Sequence, residues 1–288
     1  MTTWTTLVQA EELAAALRDG SPTASGPVIV DCRFSLADPE VGERDYRQAH
    51  IPGAVYAHLD RDLSDHRKQG QGQGRHPWPD AADFTARLGA WGIGPKTQVV
   101  AYDDLDGSHA ARFWFLLRAL GHERVAVLDG GIARWKALDL PLDDAVPSPR
   151  PARYEASFDD GRLLDARQVQ ARLEAGDVLL DARGAPRFRG EVEPIDRVAG
   201  HVPGARNRPF PDNLAGGRFK PAAQLAEEFR DVMDGRDPAR TIAMCGSGVT
   251  ACHLILAMEH AGMPGAKLFT GSWSGWIEDP SRPVAGSR

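Results

Sequence analysis

Short apolar runs alternate with longer amphipathic stretches along this chain, and that rhythm predicts its elements. VIVDC (28–32), QVVAY (98–102) and RVAVLD (124–129) are apolar runs bounded by polar or glycine residues. Such runs suit strands buried on both faces of a sheet. ARFWFLLRALG (111–121) and ACHLILAMEHAG (251–262) carry apolar residues at helical spacing and end in glycine, a helix-stop signal. Each half reads as helix, short buried strand, turn, second short strand, helix, strand, helix. Strands alternating with helices predict an α/β fold in which each half is a parallel sheet with helices on both faces.

The halves also match one another block by block. LVQAEELAAAL (7–17) pairs with LLDARQVQARL (163–173) at an offset of 156, and VIVDCR (28–33) with VLLDAR (178–183) at 150. HIPGA (50–54) pairs with HVPGA (201–205) at 151, VVAYD (99–103) with TIAMC (241–245) at 142, and LDGGIARW (128–135) with FTGSWSGW (269–276) at 141. Five blocks recur in one order and the offset changes only between blocks, the mark of a duplicated domain with loop insertions. At roughly 150 residues per domain, the 288 residues accommodate two copies. Between them, PLDDAVPSPRPARYEASFDDG (141–161) has prolines at 141, 147, 149 and 151 and should run extended. The expected organisation is a domain over 1–142, a linker over 143–160 and a second domain over 161–288. The first copy has nine extra residues after HIPGA, and KQGQGQG (68–74) reads as their place, a mobile surface loop.

Charge and cysteine content narrow the function. Thirty-four Lys and Arg against forty Asp and Glu leave a net charge of −6, which argues against a nucleic-acid or anionic-membrane surface. No run approaches the ~18 apolar residues of a membrane span. MTTWTTLVQAEEL shows no basic-then-apolar signal peptide. Three cysteines cannot build a disulfide framework, so a cytoplasmic location is expected. No Cys/His spacing suggests zinc, and no metal or cofactor is expected.

The halves disagree at one place. After TIAM comes Cys245-Gly246-Ser247-Gly248-Val249-Thr250, then a helix. Ligands of open parallel sheets bind beyond the carboxyl ends of the strands. Two glycines let the backbone curl its N–H groups inward as an anion nest, and the helix N-terminus adds positive partial charge. A cysteine there is favoured as a nucleophilic thiolate. At the matching point the first half reads YDDLDGSHAAR, with Asp103 in place of the cysteine. Asp104 and Asp106 are expected to fill that nest, leaving the first copy as an inactive scaffold.

The tandem repeat, the paired HIPGA and HVPGA, LDGG followed by Trp135, RFRGE (187–191) and the CGSGVTA loop together resemble the two-domain rhodanese-type sulfurtransferases over nearly the whole chain. Within that family the CGSGVT loop is similar to that of members using 3-mercaptopyruvate. Thiosulfate-specific members carry basic residues directly after the cysteine, where Gly246 and Ser247 stand here. Phosphatase relatives use Cys, five residues, then Arg to clamp phosphate, and position 251 is Ala251. The resemblance implies that Cys245 takes sulfur from a donor as a persulfide and passes it to cyanide, a small thiol or a thioredoxin-like dithiol. The N–H groups of Gly246, Ser247, Gly248, Val249 and Thr250 would surround the outer sulfur. Arg187, with Arg197 as the second such residue, would hold a donor carboxylate. Asp60, His76 and Ser247 match the family's Asp–His–Ser relay, which places the site between the domains.

Other residues read as structural. His50 and His201 precede Pro-Gly in both copies, Cys32 lies in a core strand, and Cys252 lies two helical turns beyond Cys245. Trp135 and Trp276 match one another as core residues, while Trp273 is expected at a pocket mouth. Two other functions stay open: a thiosulfate:cyanide sulfurtransferase, and a persulfide carrier or redox-sensing module without turnover.

Overall fold

The computed structural model describes residues 3–19, 26–104 and 106–286. They form two compact units, Met1–Leu63 with Pro79–Phe158 and Gly216–Arg218, and Ser64–Trp78 with Asp159–Ala215 and Phe219–Arg288. Each contains one five-stranded parallel sheet, so the chain is an α/β protein built twice.

In the first unit the sheet runs, across its width, Leu7–Val8, Val125–Leu128, Val99–Tyr102, Val28–Asp31, Val55–Tyr56. In the second it runs Leu163–Leu164, Lys267–Phe269, Thr241–Met244, Val178–Asp181, Arg206–Asn207. The registers repeat as well as the order. Val28 pairs with Val99 as Val178 pairs with Thr241, and Val30 pairs with Val55 as Leu180 pairs with Arg206. These are the offsets of the sequence blocks, now expressed as hydrogen-bonded neighbours.

Burial on both faces explains the continuous apolar runs. Ile29, Val100, Tyr102, Ala126 and Leu128 face one cluster with Leu13, Tyr46, Ile132 and Trp135. The alternate positions Val99, Ala101, Val125 and Val127 are just as buried, and the helix Ser108–Ala119 packs on these two central strands. The second unit repeats this with Leu179, Ile242, Met244, Phe269, Trp273 and Trp276 in one cluster. Truncating one such buried indole to Ala costs about 3–5 kcal/mol.

Polar devices are duplicated too. Arg33 turns back onto Asp31 and reaches the Ala49 carbonyl at 2.8 Å; Arg183 does the same with Asp181 and the Gly200 carbonyl. His50 and His201 each hold a carbonyl, of Tyr46 and Phe188, at 2.7 Å and stack on those same residues. The indoles of Trp135 and Trp276 donate to the Pro141 and Pro283 carbonyls. These residues serve the fold, as their presence in both copies implies.

Two expectations are corrected. Lys68–Gly74 is not a free surface loop: the Glu278 carboxylate accepts the N–H groups of Gly72 and Gly74, and a Cβ on Gly275 would lie 2.7 Å from the Gly72 carbonyl. Trp273 lines no pocket mouth. It is fully buried, its indole N–H donates to the Val198 carbonyl, and the Arg183 guanidinium lies 4.7 Å from the ring centroid.

Candidate active site

Cys245 follows the strand Thr241–Met244 and precedes the helix Thr250–His260, at the carboxyl end of the second sheet. Its backbone is held from below by the next element. Its N–H donates to the Ser272 hydroxyl at 3.1 Å, and its carbonyl accepts the Trp273 N–H at 3.0 Å. Ser272 adopts a left-handed φ of 49°, a conformation costly for a residue with a Cβ. The next carbonyl, of Gly246, accepts the Ser274 N–H at 2.9 Å. Gly248 turns the loop at φ 79° and aims its N–H at the Cys245 sulfur, 3.1 Å away. Only glycine adopts that turn without a steric penalty.

The helix start supplies further donors. The N–H groups of Val249, Thr250 and Ala251 meet no acceptor among the described residues, as expected of the first turn of a helix. The start of a helix, with N–H groups lacking acceptors, favours an anion.

Ser247 and His76 meet within this unit, Oγ to Nδ1 at 2.7 Å, both about 5% exposed or less. Sequence order puts His76 in the first half, yet Ser64–Trp78 packs with the second unit. Asp60 belongs to the first unit, on the one-turn helix Leu59–Asp62, where His58 accepts the N–H groups of Asp60 and Arg61.

Arg187 lies on the helix Ala185–Arg189 and is clamped by acids. Its guanidinium donates to Glu193 at 2.7 Å and to Asp196 at 3.0 Å. Burial pushes Glu193 up, but the Arg187 bonds and the N–H groups of Asp196 and Ile195 more than offset it and leave the carboxyl below its ordinary value. Burial holds Asp196 above its ordinary value, with Arg75 pulling the other way. Arg197 is turned aside, its guanidinium donating to the Ile277 carbonyl. A second guanidinium does approach the loop. A Cβ on Gly246 would lie 3.1 Å from the Arg75 terminus and 3.7 Å from that of Arg187. Sequence reasoning missed Arg75, although it adjoins His76; Ser272 and Ser274, inside a block read only as a core repeat, were missed too.

In the first unit the matching nest is filled by Asp103 and Asp106, and Asp104 is exposed instead. The Asp103 carboxylate accepts the N–H groups of Gly107 and His109 at 2.9 Å and of Ala110 at 3.1 Å. The Ser108 N–H goes to Asp106. Desolvation, then Asp106, raises the Asp103 carboxyl to about 7 against those three bonds.

Residues 9–138 and 165–279 each match the Rhodanese-like domain, and the chain belongs to the rhodanese family. It is 49% identical over 282 residues to a probable 3-mercaptopyruvate sulfurtransferase of Pseudomonas aeruginosa, covering 97% of both chains. It is 36% identical to the 3-mercaptopyruvate sulfurtransferase of Homo sapiens, over 94% of this chain and 91% of that one. A putative thiosulfate sulfurtransferase of Mycobacterium tuberculosis is 40% identical over 96% of both. Among solved structures, the 3-mercaptopyruvate sulfotransferase SseA of Escherichia coli superimposes with a TM-score of 0.79 at 31% identity, over 95% of this chain and all of that one.

Proposed function

We propose that this protein transfers sulfur from 3-mercaptopyruvate, as the sulfane sulfur of a persulfide on Cys245, to a thiol or cyanide acceptor. The observation that carries the reading is the Gly248 N–H on the Cys245 sulfur, at the foot of a helix whose first three N–H groups meet no acceptor among the described residues. A thiolate there attacks the thiol sulfur of the donor. The carbon–sulfur bond breaks, its electron pair leaves on carbon as the enolate of pyruvate, and the outer sulfur stays on Cys245 with its charge beside those N–H groups. The donor's thiol proton, released as the outer sulfur becomes the persulfide anion, is the one the enolate takes up to become pyruvate, and Ser247, held by His76 at 2.7 Å, relays it. A second nucleophile then removes the outer sulfur and restores the thiolate.

Arg187 suits the donor carboxylate, a planar fork for a planar group. Gly246 and Ser247, which follow Cys245 in the chain, are uncharged, unlike the basic residues that thiosulfate-specific members carry there. The first unit, with Asp103 at the cysteine position, is taken as non-catalytic. The three cysteines are free and buried thiols, which accords with a reducing cytoplasm and a thiol or thioredoxin-like acceptor. Thiosulfate as donor is the second reading, favoured by the 40% identical relative of that name.

Steady-state kinetics with both donors test the choice. A higher kcat/KM for 3-mercaptopyruvate is expected, and a higher value for thiosulfate overturns it. Mass spectrometry after exposure to donor should find one added sulfur on Cys245. It should be absent in Cys245→Ser and present in Cys252→Ser, whose parent thiol is fully buried and donates to the Gly248 carbonyl. Equal loss in both variants counts against the assignment.

A further inference from the structure

Two arginines, not one, converge on the residue that follows the nucleophile. Arg75 and Arg187 come from segments more than a hundred residues apart, yet both termini would touch a Cβ placed on Gly246. Asp196 joins them, one carboxylate oxygen on Arg75 and the other on Arg187 at 3.0 Å. The backbone of Arg75 is pinned as well: its N–H donates to Ser274 Oγ at 3.0 Å, and the Ser274 N–H donates to the Gly246 carbonyl. The dipeptide Arg75-His76 thereby addresses successive residues of the nucleophile loop, Arg75 at Gly246 and His76 at Ser247. Arg197, by contrast, spends its guanidinium on the Ile277 carbonyl. A cleft of about 380 Å³ opens on the Arg75 side, lined by Gly74, Arg75, Asp196, Arg197 and Ser274 among others, with neither Arg187 nor Cys245 in its lining.

We propose that Arg75 is the second anion-holding residue of the site, forming with Arg187 a fork that takes the carboxylate of a 2-oxo acid sulfur donor, and that Asp196 is the positioning residue that keeps the fork together until the donor arrives. The inference rests on the reading of the protein as a sulfurtransferase with an anionic donor. Asp196 occupies N–H groups that the donor carboxylate needs, so the two compete. Removing the Asp196 charge should favour the donor; removing the Arg75 charge should disfavour it.

The test compares charged and uncharged donors in wild type, Arg75→Gln, Arg75→Lys, Arg197→Gln and Asp196→Asn. Arg75→Gln should raise the KM for 3-mercaptopyruvate about tenfold or more, as expected on losing a charge-assisted bond, with a smaller change in kcat. It should leave within twofold the rate at which dimethyl trisulfide, an uncharged sulfur donor, modifies Cys245. Arg75→Lys should recover part of the KM, and Asp196→Asn should lower it. Loss falling equally on charged and uncharged donors would make Arg75 structural and overturn the proposal. So would an unchanged KM in Arg75→Gln, or the larger KM defect appearing in Arg197→Gln. If wild type refuses 3-mercaptopyruvate, the choice of donor fails. Thiosulfate, itself an anion, then runs the same comparison against dimethyl trisulfide and decides the role of Arg75 alone.

Discussion

The loops Asp103–Ala110 and Cys245–Cys252 descend from one strand–turn–helix plan and solve the same electrostatic problem in opposite ways. Both end a central strand, and both lead into a helix whose first N–H groups need acceptors. In the first loop Gly107, Ser108, His109 and Ala110 all find one, on Asp103 or Asp106. In the second, the matching Val249, Thr250 and Ala251 find none among the described residues, and the Cys245 sulfur takes the Gly248 N–H. One loop supplies its own carboxyl acceptors; the other is built for an anion that comes and goes. The nest is therefore a property of the fold, and its chemistry depends on whether a side chain already fills it.

Exchanging the two side chains should break the comparison most severely. Cys245→Asp is expected to lower turnover by about 10⁴-fold or more, the scale of losing a nucleophile, with no sulfur added on mass spectrometry. The reciprocal Asp103→Cys should gain no activity. Asp106 still faces the N–H groups there, and Leu105 stands where the second loop has Ser247. A persulfide on the introduced thiol of that variant would show that the nest alone suffices.

The serine–histidine pair marks the next difference, because the first loop lacks it. Ser247→Ala and His76→Gln should each reduce kcat by about 10²-fold, the lower range for a positioned proton donor. The double variant should lose little more than either, since the two residues act as one unit. Single-turnover release of pyruvate measures the step directly. Fully additive losses would separate the two residues and end the claim that His76 acts through Ser247.

Much of this was legible in the sequence because duplication doubles every signal. Five blocks in one order, each with its own offset, implied both sheets, and the structure reproduces those offsets as strand registers. Cys245 stood out because its counterpart is Asp103. What was not legible lay in packing between distant segments. Nothing in KQGQGQG signals that the Glu278 carboxylate will hold it, so neither the packing of Ser64–Trp78 with the second unit nor the approach of Arg75 to Gly246 could be read. The nest in the first loop was read with the wrong carboxylate for a local reason. The left-handed turn at Gly107, φ 78°, brings the chain back over Asp103 and leaves Asp104 outside.

Titration of the filled nest gives the smallest but most specific test. Burial, then Asp106, holds the Asp103 carboxyl at about 7, above the ordinary value near 4. Between those two values the folded protein keeps a proton that the unfolded chain has released, so this group's contribution to stability falls as pH rises and levels off above about 7. Asp103→Asn has no such titration. It replaces one accepting oxygen by an NH₂ group facing N–H donors, a penalty that does not depend on pH. The variant should therefore melt below wild type throughout, with a gap that narrows from pH 4 to 7 and is constant above. The narrowing should be about 2–4 °C for each kcal/mol of differential protonation. Paired thermal melts at matched pH cancel the other carboxylates. A gap that widens with pH would mean that the three N–H bonds outweigh burial and that Asp103 sits in its nest as a permanent anion.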